Sequence, residues 1–118
     1  MGAFRRFFGR LTESDERRLS EELRAWAGSI PGTVRIAEAS PRTRVKIAGM
    51  VRRITVLPVE GFEALEVVLT DGTGELATRW LGRRTIPGLV LGSRLVVEGV
   101  LGKDTGGMRI INPTYEFV

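Results

Sequence analysis

Two periodicities divide the chain at Pro41. Upstream, the apolar residues Leu19, Leu23, Trp26, Ala27 and Ile30 recur at spacings of three and four, which aligns them along one face of a helix. Thr12 followed by Asp15 suits an N-terminal capping box, and acids crowd the first turn, where the positive end of the helix dipole favours them. Gly28, Pro31 and Gly32 close the segment. Residues 1–40 thus read as a basic arm and an amphipathic helix whose apolar stripe needs cover. Three surfaces offer it: the following domain, a second copy of the chain, or a membrane met together with Phe4, Phe7 and Phe8. The many acids on the helix weigh against the membrane.

Downstream, residues 41–118 change to the alternation of β-strands. In "RVKIAGMVRRITVL", Val45, Ile47, Gly49 and Val51 share one face and Lys46, Ala48, Met50 and Arg52 the other. Gly49, in mid-run, predicts a bulge or bend where the strand coils around a small barrel. "FEALEVVLT" is a second strand, "GELATRW" a third, "SRLVVEGVL" a fourth, and "GMRIINPTYEFV" a fifth. The intervening "LGRRTIPGLVLG" carries Pro87, Gly88 and Gly92, which disfavour a long helix and predict a loop or single turn. Three strands in a meander, a wide connection and two more strands form the order of a five-stranded Greek-key OB-fold barrel: an all-β domain behind an N-terminal helix.

The stretch "LTDGTGELATRW" decides between chemistry and architecture. A phosphate-binding P-loop requires Lys and Ser or Thr after its last glycine at the head of a helix; here Glu75 and an alternating strand follow. A calcium loop requires a longer series of oxygen ligands than Asp71, Thr73 and Glu75 supply. Hairpin chemistry fits: Asp71, Gly72 and Gly74 suit positions needing a positive φ or a side-chain-to-backbone hydrogen bond.

Composition removes further chemistry. The 118 residues contain no cysteine and no histidine, which excludes disulfides, thiolate nucleophiles, histidine acid–base catalysis and the usual zinc ligand sets. No pair of carboxylates is singled out by its context, so a non-catalytic protein without metal or cofactor is expected. "MGAFRRFFGRL" leads into no apolar signal region, and no run approaches the roughly 20 residues of a membrane span, which places the expected location in the cytoplasm. The net charge is +4, and all but two of the 18 cations are arginine, whose planar fork suits phosphate and base stacking.

From about Thr43 to Phe117, "VKIAGMVRRI", "LEVVLTDGTGELATRWLG", "IPGLVLGSRLVVEGVL" and "INPTYEF" resemble the nucleic-acid-binding OB-fold family of aminoacyl-tRNA synthetase anticodon-binding domains. Within it they are most similar to the wedge domain of RecG helicases. The shared features are the Asp-Gly-Thr-Gly turn after a strand, the next strand ending in a bulky aromatic, and Pro113, Tyr115 and Glu116 near the close. The resemblance implies a stand-alone bacterial module that binds single-stranded or branched DNA, or RNA, in repair or recombination. It does not imply helicase activity, because no Walker motif is present.

OB-folds hold nucleic acid across strands 2 and 3, between the 1–2 and 4–5 loops. The candidate binding residues are therefore Arg52 and Arg53 late in strand 1, Arg79 and Trp80 on strand 3, and Lys103 and Arg109 around "DTGGM". Neighbours in a strand face opposite ways, so either Arg79 or Trp80 points at the ligand, with Arg79 favoured because Trp80 shares its face with Leu76 and Thr78. Met108 or Phe62 could add an apolar contact. Glu60, Glu63, Glu66, Glu75 and Asp104 lie near the same surface and temper its charge. Residues 41–118 hold eleven cations and eight acids, a net of +3. The alternative is a protein-interaction module using a barrel edge or the helix, with self-association through that helix. No small-molecule substrate is expected.

Overall fold

The computed structural model describes residues 12–118. Helix α1 (Glu13–Gly28) begins as the sequence predicts: Asp15 N donates to Thr12 Oγ1 at 3.1 Å, and Thr12 N donates to Asp15 Oδ2 at 3.3 Å. At its other end the Ser29 hydroxyl donates to the Trp26 carbonyl. Six strands follow: β1 (Arg44–Val59), β2 (Phe62–Thr70), β3 (Glu75–Leu81), β4 (Arg94–Asp104), β5 (Gly107–Ile111) and β6 (Thr114–Phe117). A 3-10 turn at Ile36–Glu38 lies between α1 and β1.

Five strands close a barrel in the order β1-β2-β3-β5-β4, with β4 pairing back to β1. All pairs are antiparallel except β3 with β5. The strand β1 belongs to two pairings, to β4 through Arg44–Met50 and to β2 from Met50 onward. Gly49 stands at that changeover; a Cβ there would lie 2.9 Å from the Leu69 Cβ, so only glycine lets β2 come so close. The bulge itself is three residues later than predicted: Val51 pairs with Leu69 but Arg53 with Val68, which leaves Arg52 as the extra residue. Beyond the barrel, β1 and β2 continue as a ribbon to the turn at Glu60 and Gly61.

The predicted fifth strand is two. Asn112, with φ +50, and Pro113 interrupt it, and the register against β4 slips by one residue between β5 and β6. Asn112 also fastens β5 to β3: its N–H donates to the Arg79 carbonyl at 2.7 Å, and its Oδ1 accepts from Leu81 N at 2.9 Å. Between β3 and β4 the chain is a loop, as expected, whose Ile86 is buried.

Alternate residues of the strands fill the interior, with Ile47, Leu65, Leu69, Leu76, Leu95 and Ile110 all essentially inaccessible to water. Each contributes on the order of 1.5–3 kcal/mol by leaving water. Ala48 and Val96, on the outward face of β1 and β4, are buried as well, because Trp26 and Ala27 of α1 and Ile30 just beyond it cover them. Arg94 lies over the Trp26 ring at 4.8 Å. The apolar stripe is thus covered by the chain's own barrel. The membrane alternative rested partly on Phe4, Phe7 and Phe8, which lie outside the described residues. Among the described residues no helix is long and apolar enough to cross a membrane.

The Asp71–Gly74 turn does more than join β2 to β3. Asp71 is buried, its Oδ1 accepting from Thr73 N and the Thr73 hydroxyl and its Oδ2 from Ile36 N at 2.9 Å. Thr73 Oγ1 accepts from Ala37 N, and Arg24 Nη1 donates to the Gly72 carbonyl. Gly72 has φ +85, and a Cβ on it would collide with the Ser20 carbonyl of α1. The turn therefore anchors the helix and the segment that follows it to the end of the barrel.

Candidate nucleic-acid interface

The outer face of β2, β3 and β5 forms an open cleft of about 460 Å³. Strand alternation sends Glu66 and Val68 of β2 and Glu75, Ala77 and Arg79 of β3 outward to its floor, while Leu76, Thr78 and Trp80 point inward. Register places Arg109 of β5 beside Ala77, and the β4–β5 turn forms one wall with Gly106, Gly107 and Met108. The opposite wall comes from the middle of β1, where the strand leaves β4 and pairs with β2. In a regular strand only one of Arg52 and Arg53 could face this side; the bulge at Arg52 turns both toward it. Arg53 lines the cleft directly, and Arg52 reaches its rim, where Nη1 meets Glu75 Oε2 at 3.3 Å.

Carboxylates hold most of these cations. Arg79 and Glu66 are direct cross-strand partners, and Arg79 gives both Nη2 (2.6 Å) and Nε (3.2 Å) to Glu66 Oε2, the two side chains being largely shielded from water. Arg109 Nη1 donates to Asp104 Oδ2 at 2.6 Å. Asp104 Oδ1 accepts the Gly106 N–H at 2.8 Å. That backbone donor first, and the Arg109 guanidinium second, hold the Asp104 carboxyl below its ordinary value of 3.8. Arg109 Nε is buried without a hydrogen-bond partner. Arg53 has no carboxylate partner among the described residues.

Of the six residues the sequence nominates, the structure gathers Arg52, Arg53, Arg79 and Arg109 at one cleft. Trp80 is not there. Its ring is 5% exposed, packs edge-on to Tyr115 at 5.6 Å, and donates its Nε1–H to the Pro113 carbonyl at 2.9 Å. A base has no face of this indole to stack on, so Trp80 is a core residue that ties β3 to the start of β6. Lys103 is exposed but sits opposite Met108, one position out of step with the Gly102–Arg109 pair, and does not line this cleft. Met108 does line it; Phe62, nearly half exposed at the ribbon's turn, does not. No aromatic ring is among the described residues that line the cleft. Glu60 and Glu63 also lie away from it, Glu63 facing Arg84 at 3.6 Å. The pairing of each remaining acid with a particular arginine was hidden in the sequence, because it depends on strand register and on the Arg52 bulge.

Neither a protein-family model nor a curated protein sequence matches the chain. Solved structures do. RecG bound to a three-way DNA junction matches with a TM-score of 0.54 at 20% identity, covering 66% of this chain and 11% of that one. The p204 HINb domain matches at 0.58 and 17% identity over 73% of this chain and 47% of that one. An OBody, AM3L09, bound to hen egg-white lysozyme matches at 0.57 and 19% identity over 76% of this chain and 97% of that one. The chain has an OB fold. At these identities the likeness concerns the fold, and the chain corresponds to only a small part of RecG and about half of the HINb structure.

Proposed function

We propose that this protein binds single-stranded or branched nucleic acid, without chemistry, across the β2–β3–β5 cleft. The observation that carries the reading is the convergence of Arg53, Arg79 and Arg109, with Arg52 at the rim, on the outer face of an OB barrel. The fold match to RecG bound to a three-way DNA junction supports it. Because Glu66, Glu75 and Asp104 neutralise three of these arginines, a phosphate must displace a carboxylate or bridge beside it. Affinity is accordingly modest and strongly salt-dependent. Small residues on the floor, Ala77 and Val68, and Met108 on the wall admit sugar and base edges rather than offering an aromatic platform.

Titration of fluorescent single-stranded and forked DNA and RNA at two salt concentrations tests this. Binding should weaken steeply with salt and fall in Arg53→Ala and Arg109→Ala variants; no binding at low salt would refute it.

A protein-binding role is the second reading. It is favoured by the lack of an aromatic ring among the described residues of the cleft, by the exposed Ile54, Val56 and Phe62 on the β1–β2 ribbon, and by the match to an OBody bound to lysozyme.

A further inference from the structure

A second cleft, of about 720 Å³, lies on the other side of Arg109, over the outer face of β4 where β5 gives way to β6. Arg109 lines both clefts. Four cations surround the second one, Arg42, Arg44, Lys103 and Arg109, against two acids, Glu98 and Asp104. Both acids are already engaged, Glu98 by Arg44 Nε at 2.9 Å and Asp104 by Arg109. The Arg42 guanidinium and the Lys103 ammonium have no carboxylate partner among the described residues. The second cleft thus carries a larger excess of uncompensated positive charge than the first.

Its surface suits a chain of sugars and phosphates. Gly102 leaves part of the floor bare: it is exposed, and a Cβ there would rest at an ordinary 3.5 Å from the Arg109 carbonyl and otherwise project into the open cleft. Val100 and Ile111, about half exposed, give apolar contact beside it. Arg42 adds an independent sign of use. It holds a left-handed φ of +65, a conformation that costs a residue with a side chain on the order of 1 kcal/mol, while its N–H donates to the Leu101 carbonyl at 2.7 Å. Glycine would fit that backbone without strain, yet the position places an arginine over the cleft.

We infer that the two clefts form one track, and that a single strand of nucleic acid continues from the β2–β3–β5 face past Arg109 into the cleft of Arg42, Arg44 and Lys103. The inference rests on the proposed function and extends the site it names. Charge complementarity and the shared Arg109 wall favour a polyanion over a protein segment here. Arg42 and Lys103, freed of internal partners, would each take a phosphate, whereas the first cleft must give up an ion pair for almost every contact.

Oligothymidylate and oligouridylate of about 6 and about 15 nucleotides, within the range of site sizes for such folds, separate the two parts of the track. For the intact chain, the long oligomer should show a log–log salt slope steeper by about 1.4 than the short one, as expected for two further phosphates on a single strand. Gly102→Glu places a carboxylate in the second cleft, and Arg42→Gly removes a cation while relaxing the backbone. Each should weaken the long oligomer about tenfold, and Arg53→Ala on the first cleft should weaken it as well, because one strand contacts both clefts. Thermal melting confirms that the variants are folded. Equal salt slopes for both lengths, or variants that bind both lengths as the intact chain does, would overturn the track. Loss of binding in the second-cleft variants with none in Arg53→Ala would refute the first cleft but not the second, and failure of both lengths to bind the intact chain would refute both. The thymidylate and uridylate arms show which nucleic acid the track accepts.

Discussion

Two turns of the same composition in different order, Asp71-Gly72-Thr73-Gly74 and Asp104-Thr105-Gly106-Gly107, play opposite parts in this barrel. In the first the aspartate is buried and spends both oxygens on donors from its own turn and from Ile36. Its glycine at φ +85 lies against α1, and the turn is partly covered by α1 and the Ile36–Glu38 segment. In the second the aspartate is exposed, accepts from Gly106 and steers Arg109, and the glycines open onto a cleft. Composition alone cannot tell an anchor from a binding loop. What separates them is whether another part of the chain supplies donors that satisfy the aspartate from outside the turn.

The largest effect should come from breaking the anchor. Asp71→Ala leaves the buried Ile36 N–H without its acceptor and removes two bonds within the turn, a loss of about 3 kcal/mol or more in chemical denaturation. Asp104→Ala, made in the exposed turn, should melt close to the parent protein. Next, Gly72→Ala introduces both backbone strain and a clash with the Ser20 carbonyl, costing about 2 kcal/mol or more. Gly107→Ala, with φ +113 but nothing within 4 Å of the added carbon, incurs the strain alone and should be the milder of the two. Trp80→Phe should lower stability by about 1 kcal/mol through loss of its bond to Pro113 while leaving oligonucleotide affinity unchanged. Glu66→Gln should raise that affinity a few-fold by releasing Arg79, as read by the same titration.

The smallest effect concerns pH. Because the Asp104 pKa is lowered, its carboxylate stays charged, and the support it gives the hairpin stays present, at pH above 3.8; that support is lost as the pH falls through the lowered value. Arg109 side-chain resonances should therefore hold steady from neutral pH to about pH 4 and shift only below it.

Much of the architecture was legible because it depends on local periodicity. The α1 capping box, β2 from Phe62 to Thr70 and the loop between β3 and β4 agree with the patterns that predicted them. The misplaced bulge shows where pattern reading stops. Gly49 marked a close approach of β1 and β2, whereas the extra residue is Arg52, an ordinary strand residue that only pairing to Leu69 and Val68 reveals. Trp80 and Arg79 were separable by alternation, and Arg79 is the outward one. The second cleft was not legible: Arg42 lies just before β1 and Arg44 opens it, and they meet Lys103 only because β1 pairs with β4.

Amide chemical shifts recorded while a short oligothymidylate is added to the protein show which face of the barrel the strand occupies. Shifts that include Arg53, Ala77, Arg79 and Gly106–Arg109, with Asp71–Gly74 silent, are the predicted result. Shifts centred on Asp71–Gly74 and α1 instead, or none at all at low salt, would contradict it.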